Sequence, residues 1–370
     1  MLRILHCVNN MHRAGLETML MNYYRSVDRT KIRFDFLMHR EERSDYDDEI
    51  ESLGGRIYRA PRLYPQNYPA YFRYMERFFR EHPEYTIVHS HIDAMSYLPL
   101  RAAQRAGVPV RIAHSHNTGI DQDFKYPLKQ YFRLRLNGVA THTFACGEEA
   151  GRFLFRGREF TVIPNAVDGA RYCFDAATRQ HKRAELGIAD RPVMGHVGRM
   201  AYAKNHEFLL SLFRQWLQVR PDGLLLLVGT GEKEAELKRK VQALGLADAV
   251  RFLGSRSDVH ELYQAMDVFV LPSFFEGIPV VGVEAQFAGL PCLFSDGVPQ
   301  EVCFTDRCRF LSLSAPLSRW VGEVEALLAG PERTAPTDGG PYDIRQAAAV
   351  LQDRYEALSR GEISRASAVR

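Results

Sequence analysis

The sequence predicts an α/β chain of two doubly wound domains, each a parallel sheet covered by helices on both faces. Three observations carry that prediction. The chain has 370 residues, enough for two cores of ordinary domain size. Short apolar runs alternate with stretches of helical periodicity, which is the rhythm of βαβ units. The rhythm pauses near residues 163–190 and then restarts, which marks a boundary. The expected division is residues 1–168, residues 169–341, and a terminal helix over 342–360.

In the first half, residues 3–8 form an apolar strand and 9–14 a polar loop. Gly15 opens a helix, with Leu16, Met19, Leu20, Tyr23 and Tyr24 at helical spacing. Strands follow at 32–38, 56–58, 86–89, 110–114 and 143–146. Helices are expected at 45–53, closed by Gly54-Gly55, at 68–81, and from 90 to about 106. Residues 169–190 are charged and read as loop. The second half restarts with strands at 192–197, 224–228, 250–253 and 268–271. Helices fall at 205–219, 232–244, 259–265 and 280–288, the last closed by Gly289 and Pro291. Residues 329–341 read as a Gly/Pro-rich linker. A final helix over 342–358 aligns Ile344, Ala347, Ala348, Leu351, Tyr355 and Leu358 on one face. The last dozen residues are expected to fray.

Composition excludes several classes. The net charge of +3 is far from the footprint of a nucleic-acid binder. No apolar run is long enough to span a membrane, and the N-terminal run is too short for a signal peptide. The six cysteines form no Cys-x-x-Cys pair, so reduced, mostly buried thiols in a cytoplasmic protein are expected.

The most informative stretch is residues 267–292. Its strand at 268–271 ends at Pro272-Ser273, Glu276-Gly277 falls in the loop, and a helix starts near Val280. The first turn of a helix presents unpaired backbone N–H groups, a ready site for phosphate. A carboxylate such as Glu276 or Glu284 accepts two hydroxyl hydrogen bonds at once, as holding a sugar or ribose requires. Spacing alone does not separate this reading from a buried helix with one exposed glutamate.

Further candidates follow the strands. Gly198 and Arg199 lie after the strand ending at 197, with Lys204 and Asn205 next along. Two cations placed there would stabilise a departing diphosphate without proton transfer. Gly229-Thr-Gly231 lacks the third glycine of a dinucleotide fingerprint, since Glu234 stands in its place. That turn serves close packing or ligand contact equally well. Gly15 would let backbone amides approach a donor phosphate or an acceptor hydroxyl. Two triplets, His89-Ser90-His91 and His114-Ser115-His116, each aim two imidazoles one way. No acidic or cysteine partner sits at matching spacing, so no metal site is expected. Residues 124–135 interleave bases and aromatics, as either a core-facing helix or a membrane-surface helix would.

Glu276 and Glu284, set within Pro-Ser-x-x-Glu-Gly-x-Pro…Glu-Ala-x-x-x-Gly-x-Pro, resemble the hallmark of retaining glycosyltransferases of the GT-B fold. More narrowly, they resemble family four, which contains many capsule and exopolysaccharide enzymes. The resemblance runs from Gly15 to the last helix. It implies two Rossmann-like domains facing a central cleft, with the last helix crossing back onto the first domain. It implies transfer of a hexosyl unit from a nucleotide sugar, a UDP-sugar first among candidates, to an acceptor hydroxyl. Arg199, Lys204 and Asn205 would clamp the diphosphate, assisted by the loop Gly277, Ile278 and Pro279 and the amides of Val280 and Val281. Glu276 would hold a sugar hydroxyl and Glu284 the ribose. His116, and more distantly His91, would lie beside the donor sugar. The family often carries Gly-Gly where this chain has Ala14-Gly15, a departure that adds a Cβ at position 14. The implied chemistry needs no cofactor and no metal. The implied partners are the nucleotide sugar and a saccharide or lipid-linked saccharide, with peripheral contact at the inner face of the plasma membrane and no nucleic acid.

Two other classes fit parts of the pattern. An NAD(P)-dependent oxidoreductase or epimerase acting on nucleotide sugars would share paired doubly wound halves, but there is no Tyr-x-x-x-Lys pair in a suitable place. A non-catalytic sugar-binding scaffold would not need Arg199, Lys204, Glu276 and Glu284 together.

Overall fold

In the computed structural model, which describes residues 1–120, 125–334, 336 and 339–362, the chain forms two compact units. One comprises Met1–Ala166 together with the chain from Ile344; the other is Val167–Asp343.

The first unit is built on seven strands: β1 (Leu2–Val8), β2 (Ile32–Met38), β3 (Ile57–Arg59), β4 (Ile87–Ser90), β5 (Val110–Ser115), β6 (His142–Ala145) and β7 (Thr161–Val162). Their order is β3-β2-β1-β4-β5-β6-β7, and every neighbouring pair is parallel. The direction of winding reverses between β1 and β4, where Ile4 pairs with Ile87 and His6 with His89. A crevice at the carboxyl ends of such a strand pair is where doubly wound sheets bind ligands. The core fills with Leu5, Leu37, Tyr71, Met75, Val88 and Phe155 among others. The helix Ile344–Arg360 belongs to this unit and buries Ile344, Ala347, Ala348, Leu351, Tyr355 and Leu358, the face its periodicity marks.

The second unit repeats the plan with six strands: β8 (Val193–Val197), β9 (Leu224–Val228), β10 (Val250–Gly254), β11 (Val268–Leu271), β12 (Cys292–Ser295) and β13 (Cys308–Leu311). The order is β10-β9-β8-β11-β12-β13, again all parallel, with the reversal between β8 and β11. Trp216 and Trp320 are fully buried in its core.

Residues 169–190, read as loop, contain the helix Ala176–Glu185. Asp175 caps it by accepting from the Thr178 amide at 2.6 Å. Its inner face is Lys182 and Arg183, 3% and 8% exposed. Lys182 is held by Glu185, Asp258 and Glu261, and Arg183 donates to the Ala265 and Arg191 carbonyls. A helix buried through cations has no apolar stripe for periodicity to find. The strands β7, β12 and β13 and the helices Glu148–Phe155 and Leu317–Leu328 also went unread. The expected fraying falls mostly on residues 363–370, outside the described residues, and the final helix runs on to Arg360.

Candidate functional site

In the second unit the candidate residues gather at the carboxyl ends of β8 and β11, on either side of the reversal. After β8 the Gly198 amide donates to the Val228 carbonyl at 2.9 Å. The chain then makes a short 3-10 turn, Tyr202–Lys204, and Asn205 adopts φ +51°, a left-handed conformation asparagine tolerates. That turn aims Lys204 at the loop after β11. Its Nζ lies 2.7 Å from Glu276 Oε1, with both side chains mostly buried. Ser273 Oγ donates to the same oxygen at 2.6 Å. Backbone bonds fix the loop after β11 on both sides: the Phe274 amide donates to the Ala203 carbonyl after β8 at 2.8 Å, and the Glu276 amide to the Gly297 carbonyl after β12 at 3.0 Å. Tyr202 and Phe274 stack at 4.7 Å between ring centroids.

Gly277, Ile278 and Pro279 lead from Glu276 into the helix Val280–Phe287. Its first intrahelical bonds are made by the Gly282 and Val283 amides to the Pro279 carbonyl. The amides of Val280 and Val281 therefore head the helix, where the dipole favours an anion.

Arg199 is not drawn into this cluster. It pairs with Glu232 at 3.0 Å on the surface, where both side chains are more than half exposed. Exposed pairs of this kind are worth about 0–1 kcal/mol, so the guanidinium exchanges partners at little cost.

Glu284 sits one turn into the helix and is 5% exposed. Tyr172 donates to its Oε1 at 2.7 Å, and the Tyr263 hydroxyl lies 2.9 Å from Oε2. Burial pushes its pKa up to about 7, against the opposing pull of the two phenols. Each oxygen keeps one further acceptor position, so a ribose hydroxyl would have to share the carboxyl with tyrosines the sequence reading did not anticipate. Gly229 and Gly231 are spent on packing. A Cβ on Gly229, at φ +126°, would lie 2.2 Å from the Gly198 carbonyl oxygen, and one on Gly231 2.5 Å from the Met200 carbonyl oxygen. A groove of about 1110 Å³ at the amino ends of these strands, lined by Arg179, Asp267 and Arg333, touches none of these residues.

In the first unit, Gly15 begins the helix Gly15–Ser26, and a Cβ there would meet nothing within 4 Å. Packing does not require this glycine. His116 follows β5. Its backbone amide donates to Asp93 Oδ1 at 2.8 Å, and its Nε2 lies 3.0 Å from His91 Nδ1. Burial holds its pKa down at about 3, so the ring is neutral. The helix Tyr126–Leu136 buries Phe132 and Leu136 and leaves Tyr131 and Leu134 exposed, 48% and 60%. Of the interleaved stretch, Phe124 lies outside the described residues. Among the described residues no helix is long and apolar enough to cross a membrane.

Two family models match the chain: "Glycosyltransferase Family 4" over residues 13–171, and "Glycosyl transferases group 1" over residues 178–307. The putative glycosyltransferase EpsF of Bacillus subtilis (strain 168) is 38% identical over 343 residues, 90% of this chain and 89% of that one. A galactosyltransferase of Escherichia coli, named for transfer from UDP-Gal to α-D-GlcNAc-diphosphoundecaprenol, is 28% identical over 58% of each chain. Among solved structures, Anabaena HepE in complex with UDP and glucose superimposes with a TM-score of 0.78 at 18% identity, covering 98% of this chain and all of that one.

Proposed function

Since this chain belongs to the family 4, group 1 glycosyltransferases, we propose that it moves a hexosyl unit from a UDP-sugar to an acceptor hydroxyl with retention of configuration. The observation that carries the reading is the Lys204–Glu276 pair, 2.7 Å apart, beside the helix headed by Val280. It supplies a cation and a hydroxyl acceptor at the place where a doubly wound sheet takes its ligand.

The glycosyl C–O bond to the diphosphate breaks as the bond to the acceptor oxygen forms. Negative charge grows on the leaving diphosphate. Lys204, Arg199 released from Glu232, and the amides of Val280 and Val281 meet that charge with fixed positive ends, the kind of stabilisation that lowers a transition state most. Asn205, locked in its left-handed turn, fixes Lys204. Glu276 accepts from a sugar hydroxyl. The acceptor proton passes to a donor phosphate oxygen. Donor binding by Gly15 and a catalytic role for His116 are assigned by resemblance. In this reading the diphosphate charge is met by the protein alone, with no cofactor and no metal in the transfer step.

UDP is favoured because HepE holds UDP with glucose and the E. coli relative is named for UDP-Gal. A saccharide or lipid-linked saccharide is the proposed acceptor, in polysaccharide or glycolipid assembly. The exposed Tyr131 and Leu134, beside Arg135, are the proposed peripheral contact with a membrane surface.

The test is turnover of a UDP-sugar panel by wild type, Lys204→Ala and Glu276→Ala. The expected loss in kcat/KM is about 100-fold or more for each variant. Rates within a few-fold of wild type would overturn the site. A rise in KM with kcat unchanged would reassign the groups to uniform binding.

A further inference from the structure

Five histidines, four of them buried and His116 half-buried, meet on one face of the first sheet. His6 stands on β1, paired in register with His89 on β4. His91 lies two residues beyond His89, and His114 and His116 stand at the end of β5 with the same spacing. Alternate residues of adjacent parallel strands share a face. The rings stack accordingly, with centroids 4.1 Å apart for His89–His91 and for His114–His116.

Hydrogen bonds join the rings into two short chains. In the first, His6 Nδ1 lies 2.9 Å from His91 Nε2, and His91 Nδ1 lies 3.0 Å from His116 Nε2. In the second, the Tyr355 hydroxyl lies 2.6 Å from His89 Nδ1, and His89 Nε2 lies 3.0 Å from His114 Nδ1. A neutral imidazole has one N–H and one lone pair. Whichever way the protons run, the ladder leaves His114 Nε2 and His6 Nε2 buried with no partner among the described residues. Buried polar atoms are normally satisfied, so an orphaned ring nitrogen asks for an occupant.

One ring nitrogen from each of His91, His114 and His116 lies within 4.8 Å of the other two. We propose that these three histidines form a site for a divalent transition-metal ion of the zinc class, through His91 Nδ1, His114 Nε2 and His116 Nε2. Three imidazoles with a fourth, open position are a recognised donor set for zinc. Ligand nitrogens around a tetrahedral zinc stand about 3.4 Å apart. The His91–His116 pair opens slightly from 3.0 Å, and no other separation has to shrink by more than about 1.4 Å, which small ring rotations provide.

The surroundings match a metal centre in a second way. Histidine ligands almost always have their other ring nitrogen hydrogen-bonded, which fixes tautomer and orientation. Here His6 holds the Nε2 of His91, and His89, itself anchored on Tyr355, holds the Nδ1 of His114. The Asp93 carboxylate, accepting from the His116 amide, lies next to the cluster and offsets part of the ion's charge. His116 is the one ligand not fully buried, so the ion enters past it. The triad His6, His89 and His91 is also closely spaced, but it is entirely buried and offers no such entrance. One consequence rests on the glycosyltransferase reading: a bound ion takes His116 out of use, so zinc inhibits transfer. Binding itself does not depend on that reading.

The test uses the metal-depleted full chain, titrated with Zn²⁺ against a chromophoric chelator and with Co²⁺ by visible absorption. One ion per chain is expected, with the intense d–d bands of a four-coordinate cobalt site. His91→Gln and His116→Ala should each weaken binding at least 10-fold, while His181→Ala, on the exposed surface of the second unit, leaves it unchanged. Because His91 is buried, the thermal midpoint of each variant is recorded alongside. His116→Ala, at the half-open end, decides the matter if His91→Gln does not fold. Binding no tighter than millimolar, or binding that His116→Ala leaves unaltered, overturns the site. Zinc bound in one equivalent by a protein with no transferase activity leaves the site standing and sinks the transfer reading.

Discussion

Burying the Glu284 carboxyl penalises its charged form, and two tyrosine hydroxyls recover only part of that penalty. The folded-state pKa of about 7 stands above the ordinary value of 4.5. Between those values the folded chain binds the extra proton, so this group's contribution to stability is full below about 4.5 and is lost as pH rises through 7. The difference amounts to roughly 3 kcal/mol across that window. Glu284→Gln removes the titration and keeps a hydrogen-bonding group between Tyr172 and Tyr263. The expected outcome is a wild-type thermal midpoint that falls relative to the variant between pH 5 and pH 8. Two midpoint curves that run parallel over that range would mean that Glu284 ionises normally. Lys204 and Glu276 show the opposite situation, a charge pair at the mouth of the strands. The two are far apart in the chain, and nothing in local sequence says that they touch. The longer motif marks both residues for a site but does not say that they pair. The tyrosines on Glu284 were not legible at all, because a phenol from residue 172 reaches the helix only once the fold is formed.

At the scale of elements, the sequence spoke clearly wherever burial is apolar. The helix Ile344–Arg360 buries the six residues its periodicity names, and strand runs such as residues 224–228 are wholly buried. It was silent where burial is ionic, as in Ala176–Glu185, whose hidden face is Lys182 and Arg183. It was ambiguous where glycine has two uses. The turn Gly229-Thr-Gly231 reads equally as a phosphate cradle or a packing joint, and the structure fills the space over both glycines with the backbone of Gly198 and Met200. Gly229→Ala tests that assignment. It places a Cβ at a positive φ and 2.2 Å from a carbonyl oxygen, and backbone cannot retreat as a flexible side chain would. The expected cost is about 1–3 kcal/mol, read as a lowered denaturant midpoint. An unchanged midpoint would show that the joint is loose. Because Gly198 leads into Lys204, the same variant should also weaken nucleotide binding.

Nucleotide choice belongs to the whole molecule, since it sets one doubly wound unit's chemistry against the general capacity of that fold to hold dinucleotides. The second unit has the strand order of a dinucleotide-binding sheet, yet the glycine turn that would cradle a pyrophosphate is occupied by its own backbone. Its cation and carboxylate stand instead after β8 and β11. Thermal unfolding with UDP, GDP, ADP and NAD in parallel separates the two possibilities without an acceptor in hand. A ligand at a hundred times its dissociation constant adds about 2.7 kcal/mol to the folded state. A unit of this size moves by about 2–4 °C per kcal/mol, so a midpoint rise of roughly 5–10 °C is expected with UDP and none with NAD. Lys204→Ala should remove most of the UDP response while leaving the ligand-free midpoint within a few degrees, because a mostly buried ion pair replaced at one end leaves Glu276 still bonded to Ser273. A rise with GDP in place of UDP keeps the site and changes the donor. A rise with NAD alone would mean that the turn at Gly229 opens in solution, and the transfer chemistry assigned to Lys204 and Glu276 would fall with it.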